Sequence, residues 1–272
     1  MVGAACVHTI DAEVENTLRE IHFKVQASAL ARSGKEVFAV GDSIGIYAVK
    51  RTEDGTSAIP AQTGNQAHNA KWVKTEDGWQ PASPIDKVLW SQDNAPLDFY
   101  AYYPYSRDAI DPEAIAMGVK PDQRTVGGRN GSDWMVATNT IGVNEGEVEL
   151  LFRHVMAAVE VEIRGGDVIM PNEKLEVQMT EVCLTNSHHL GTGMFVAENG
   201  TGTIDMWRLE NATDMDSFTY RALLPAQTLG KGIPVFRCLQ DGKIYIYRGE
   251  EIILERGNRT RFVFTLKSGS EL

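Results

Sequence analysis

The chain has 272 residues, 43% of them hydrophobic, enough to bury a sizeable core in one large domain or two. Its formal net charge of −11 repels a phosphate backbone and no basic run offsets it, which excludes nucleic acid as a partner. No window holds 18 apolar residues, so no helical segment is apolar enough to span a bilayer.

The first residues lack a charged stretch followed by an apolar run, so no intact signal peptide is expected. Val2-Gly3-Ala4-Ala5-Cys6 is similar to the small-residue end of a bacterial lipoprotein signal, which makes Cys6 the lipidation candidate. Gly3 stands where a leucine is usual, and chance fits the stretch equally well. Residues 7–19 fit a short helix or a flexible leader, and 1–19 are set apart from the fold. Glu20–Gln26 alternates cleanly with Ile21, Phe23 and Val25 on one side, a half-buried antiparallel strand. Residues 27–36, around Arg32, read as an exposed loop. Val37–Val49 holds two apolar stretches about a Gly41-Asp42-Ser43 turn, and 51–70 read as a long polar loop or lid.

Lys71–Lys74 and Gly78-Trp79 bracket a hairpin turn, and Lys87–Trp90 is a further short strand. Leu97–Tyr105 carries four tyrosines and a phenylalanine, a strand by composition. Period-two geometry puts Phe99, Ala101 and Tyr103 on one face and Tyr100 and Tyr102 on the other, so both faces are covered. An Asp/Pro/Gly-rich excursion over 106–131 contains one helical turn at Pro112–Met117, and Asp133–Ala137 is a strand. The turn-rich residues 138–147 place a domain boundary, giving units at 20–146 and 147–272. Val148–Ile163 is one long strand with Leu151, Val155, Ala157, Val159, Val161 and Ile163 on one parity. Strands at Lys174–Leu184, Thr203–Arg208, Ser217–Leu224, Ile233–Leu239, Lys243–Arg248 and Arg261–Lys267 follow. Spacings near ten residues with no amphipathic helix between them predict β-sandwiches.

No catalytic constellation emerges. Gly41-Asp42-Ser43 resembles the nucleophile block of GDS-type hydrolases, but a serine nucleophile needs a histidine base, and no histidine follows His189. His188-His189 is the best metal candidate, yet neighbouring strand residues point to opposite faces and no third ligand converges; a solvated loop end is expected. His154 reads as a hydrogen-bonded strand histidine. Cys183 and Cys238 lie in apolar strand contexts, as small buried hydrophobes or as a disulfide if their strands meet. Catalytic residues, cofactors and metals are expected to be absent.

Several blocks, taken together, resemble the fimbrillin family of pilus subunits and tip proteins: Phe38–Ala48, Phe99–Tyr105, Ser132–Ala137, Leu151–Val159, Ala222–Thr228 and Gly257–Phe262. The resemblance spans about residues 20 to 267 and implies an all-β chain of two transthyretin-like β-sandwich domains in tandem. It also implies export as a lipoprotein to the outer membrane and extracellular display, with the lipid anchor as the one membrane link. In such proteins a protease cuts after the first strand beside an arginine, here Arg32. The vacated groove accepts a strand from another fimbrial subunit. Ile21, Phe23 and Val25 would leave; Phe262, Phe264 and Leu266 belong to the expected donor or exchange strand. Partners implied are further subunits and a host or bacterial surface receptor or glycan. The alternative is a glycan-binding module, with Trp72 and Trp79 as ligand aromatics, although covering a sheet face is their expected role.

Overall fold

A computed structural model describes residues 19–28, 38–166, 169–198, 200–210 and 217–267. Short β-branched and aromatic runs punctuated by glycine and asparagine fold as strands almost throughout, and the chain is all-β, as expected. The strands of the first half are β1 (His22–Ala27), β2 (Ser43–Lys50), β3 (Ala67–Thr75), β4 (Gly78–Pro81), β5 (Leu97–Tyr103), β6 (Ile115–Gly118), β7 (Met135–Val143) and β8 (Glu147–His154). Then come β9 (Ala157–Arg164), β10 (Glu176–Val182), β11 (Thr185–His188), β12 (Phe195–Ala197), β13 (Gly202–Asp205) and β14 (Trp207–Arg208). The last are β15 (Ser217–Leu224), β16 (Gln227–Leu229), β17 (Pro234–Gln240), β18 (Lys243–Arg248), β19 (Ile252–Leu254) and β20 (Arg259–Thr265).

One sheet holds the order β1-β8-β7-β5-β2-β3-β4. Its centre is β5, all seven residues of which are buried. Leu97, Phe99, Ala101 and Tyr103 join one core cluster, Tyr100 and Tyr102 another, so both faces are covered as the alternation predicts. Gly45 on β2 is needed here, because a Cβ would lie 2.3 Å from the Tyr102 ring. The Trp72 and Trp79 hairpin forms as expected, with Gly78 at φ +120° completing the turn.

The remaining strands form a sheet β13-β10-β17-β18, a sheet β14-β15-β9-β20, the ladder β12-β11-β6 and the pair β16-β19. A single buried cluster joins them to the second face of the first sheet through Tyr47, Tyr100 and Tyr102. The excursion after β5 lies against the later strands: Val119 N–H donates to Leu184 O at 2.8 Å, and buried Gln123 bonds both backbone groups of Leu223.

Several expectations change. β1 runs parallel to β8, a pairing direction that local alternation does not encode. Residues 112–117 hold no helical turn; Ile115–Gly118 pairs with β11, and the helical turn is Val126–Asn130, capped by the Thr125 hydroxyl. The polar loop 51–70 ends at β3, and Lys87–Trp90 makes one isolated bridge, Glu20 to Leu89. The division at 146/147 falls between β7 and β8 of one sheet, and the chain leaves that sheet at Val155-Met156. The run 148–163 is therefore two strands. Across the break the parity resets: Val148, Leu150 and Phe152 are buried while Leu151 faces out, 43% exposed.

Candidate strand-exchange interface

Ile21 is fully buried and Phe23 nearly so, and Val25 packs beside them. Phe23 meets Trp72 edge-on at 4.9 Å and Phe99 at 5.6 Å. One side of β1 lies along Glu147–Phe152 of β8, in register from His22 with Glu147 to Ala27 with Phe152. Just ahead of it the chain is bound on the other side: Ile21 N–H donates to Val88 O and Trp90 N–H to Arg19 O, both at 2.9 Å. β1 thus lies as an edge strand over Trp72 and Phe99 with β8 on one side, and residues 88–90 hold the chain just ahead of it. Its charged contact with β8 is Lys24 to Glu149 at 2.6 Å, with both side chains well exposed. The Glu149 carboxylate raises the Lys24 ammonium above its ordinary value.

At the far end of the chain β20 runs parallel to β9, as β1 does to β8. Phe264 and Leu266 are buried and Phe262 half-buried, on one parity as read from the sequence. Phe262 and Phe264 pack on Phe236 at 4.9 and 5.5 Å, and Tyr247 lies 4.6 Å from Phe264. The opposite face of this sheet carries a ladder of charges that sequence reading missed. Glu160, 6% exposed, accepts from Arg221 Nε at 2.8 Å and lies 3.5 Å from Arg259. Glu162, equally buried, accepts from Arg164 Nε at 2.5 Å and pairs with Arg261. The Arg164 bond, with help from Arg261, holds the Glu162 carboxyl below the usual carboxylate range. Its signal lies in the sequence: Glu160 and Glu162 alternate with valines on β9, and Arg259 and Arg261 alternate on β20, with Arg261 in register with Glu160.

Cys6 and Arg32, the lipidation and processing candidates, lie outside the described residues. Trp72 and Trp79 both lie in the core cluster of the first sheet. They are 1% and 9% exposed, Trp72 against Phe23 and Trp79 against Phe38 at 5.3 Å, so neither ring offers a face to a sugar. A groove of about 440 Å³ runs along Val49–Gln66, where Lys50, Asn65 and Gln66 are engaged by Asp93, Ala61 and Leu89.

His188 is not at a solvated loop end. It is 1% exposed in β11, against Phe195 at 4.3 Å, and burial, helped by Arg256 and His189, lowers its pKa to about 4. Among the described residues no three His, Cys, Asp or Glu side chains converge as a metal site. His154 is the hydrogen-bonded strand histidine expected, its Nδ1 2.7 Å from Asp133. Asp42 accepts from Ala39 N–H and the Tyr103 hydroxyl. Cys183 and Cys238 are free thiols; Cys238 is fully buried, which pushes its pKa up to about 12, and Cys183 is half-buried.

Among solved structures, the chain is similar to a candidate cell adhesion protein of Bacteroides ovatus, with 17% identity, TM-score 0.70, and 93% of this chain and 94% of that one covered. A candidate cell adhesion protein of Bacteroides uniformis matches with 16% identity and TM-score 0.63, over 92% and 95%. A fimbrial protein of Bacteroides ovatus matches with 20% identity and TM-score 0.52; 92% of this chain covers 49% of that longer one. At these identities the likeness is one of fold. No curated protein matches. The family model for fimbrillin-like proteins matches residues 31–272, and with that match over most of its length the chain belongs to the fimbrillin-like family.

Proposed function

We propose that the chain is a non-enzymatic, cell-surface fimbrial subunit or tip adhesin that joins its neighbours by β-strand exchange. In this reading it consists of two transthyretin-like sandwich units that meet at Val155-Met156. Cleavage after Arg32 releases β1, Cys6 carries the lipid that anchors the precursor to the outer membrane, and other fimbrial subunits are the partners.

The supporting observation is the seat of β1. An edge strand inserts an aromatic plug between Trp72 and Phe99, and its charged contact with β8 is exposed to solvent. Removing it uncovers Val148, Leu150 and Phe152, a row of alternate apolar pockets beside unpaired main-chain groups. Such a groove is relieved by another strand of the same period. β20 has that period in Phe262, Phe264 and Leu266, and it also pairs parallel to its neighbour.

The test is to cut the folded protein with an arginine-specific protease and run it unboiled on a denaturing gel. Release of a fragment ending at Arg32, followed by a ladder of multimers, is the expected result. A protein cut at Arg32 that loses β1 and stays monomeric overturns strand exchange, and resistance of that peptide bond overturns activation by cleavage.

A further inference from the structure

Among the described residues six buried side-chain polar atoms have no hydrogen-bond partner. Two of them belong to amides bonded through their other end: Asn139 donates to Glu149 O and Gln178 to the Asp205 carboxylate. The other four are the whole polar complement of two side chains, Asn186 Nδ2 and Oδ1 and His188 Nδ1 and Nε2. Both residues are 1% exposed and, two apart on β11, share its inward face at a spacing of about 6.7 Å. Met117 and Ile115 of β6 lie opposite them, both buried in the core, and the Phe195 ring of β12 is 4.3 Å from the imidazole. A buried polar group without a partner carries its full desolvation penalty, and protein interiors meet that penalty with a protein partner or with ordered water.

We infer that Asn186 and His188 bind an internal water molecule on the core side of β11, bonded to the amide and the imidazole together. The chemistry of the pair selects the occupant. An amide brings donors and an acceptor and a neutral imidazole one of each, so the shared partner must donate as well as accept. His188 is neutral near pH 7, because burial lowers its pKa to about 4. A metal cation does not fit: the charges acting on His188, those of Arg256 and His189, are basic, and among the described residues no three metal-binding side chains converge. An anion does not fit either, since it cannot donate to the amide oxygen or to the bare imidazole nitrogen. With both side chains almost wholly covered, the occupant is small. Water, at about 2.8 Å from each partner, spans two side chains at this spacing. The site uses neither β1 nor β20 and stands or falls separately from strand exchange.

The test reads the water first and the coupling second. In magnetic resonance of the full chain, the Asn186 amide protons and the His188 ring proton should cross-relax with a signal at the water frequency, with the sign given by a water held for longer than nanoseconds. A crystal structure should place one water oxygen within about 3.2 Å of both side chains. Asn186→Leu and His188→Leu each strand the other side chain, so each should lower the denaturant midpoint. The double variant removes both polar groups. Its loss should be smaller than the two single losses added together, and the water signal should disappear, because an apolar site stays dry. The water readout needs only the wild type, so it decides even where a variant fails to fold. A wild type with no held water at these protons, an amide bonded directly to the imidazole, or single losses that add in the double variant overturns the site.

Discussion

β1 and β20 occupy equivalent places: each is an edge strand, parallel to one half of the run 147–164, with an apolar row turned inward. They are held by different forces. β1 relies on shape, with Phe23 between Trp72 and Phe99 and a solvent-exposed ion pair. β20 adds to its aromatic stack a ladder in which two nearly buried glutamates grip arginines of β9, β15 and β20. An apolar plug is non-directional, and any strand of the same period replaces it. A charge ladder is directional, and a departing strand leaves buried carboxylates short of partners. The contrast makes β20 the strand with the directional clamp and β1 the strand without one, which is what the proposed exchange of β1 requires.

The largest expected effect tests the plug. Phe23→Ala should cost about 3–5 kcal/mol, the range for truncating a buried aromatic, read as a drop in the denaturant midpoint. In hydrogen exchange the loss should concentrate at residues 22–27 and leave 259–265 protected. A cost under about 1 kcal/mol would mean that β1 is held by its main-chain ladder, and the contrast would fail. Glu160→Gln comes next. It leaves Arg221, 14% exposed, beside a neutral amide, and the expected cost is about 1–3 kcal/mol with exchange rising at 259–265. The partial exposure of Arg259 keeps it below the cost of a fully buried broken pair.

Acid should loosen β20 selectively and by less. The folded-state pKa of Glu162 lies below its ordinary value of 4.5, so its contribution is complete above that pH and is lost as pH falls through the lowered value. His188 complicates the reading. Its folded pKa of about 4 lies below the usual 6.5, so the unfolded chain takes up a proton first and stability falls with pH between 6.5 and 4. His188→Leu should flatten that upper window and leave the local loosening of β20 below pH 4.5. Exchange at 259–265 that ignores acid would show that Glu162 carries none of the clamp.

Much of this was legible in the residues. Both faces of β5 followed from Phe99, Ala101 and Tyr103 against Tyr100 and Tyr102, because strict alternation survives wherever a strand is continuous. The inward rows of β1 and β20 followed in the same way. What failed was non-local. The break at Val155-Met156 shifts parity without any glycine or proline to announce it, so Leu151 was assigned inward. β11, Thr-Asn-Ser-His, has no apolar alternation and is a strand because β6, far earlier in the chain, pairs with it; that is also why His188 is buried. Parallel pairing of the end strands left no local mark. The Arg–Glu ladder did, in matched alternations, but its meaning depends on β9 and β20 being neighbours.

The smallest expected effect is at Lys24. Its ammonium meets Glu149 at 2.6 Å, yet both groups stand in solvent, where Coulomb attraction is screened and holding two flexible side chains costs entropy. Lys24→Ala should leave the denaturant midpoint, exchange at 22–27 and the rate at which a nicked N-terminal fragment dissociates all unchanged. Raising salt should leave that dissociation rate unchanged as well, whereas it should speed any opening of β20. If Lys24→Ala released β1 as readily as Phe23→Ala, the two edge strands would be held alike, by charge. The groove would then select its incoming strand by a cation opposite Glu149 rather than by an apolar row.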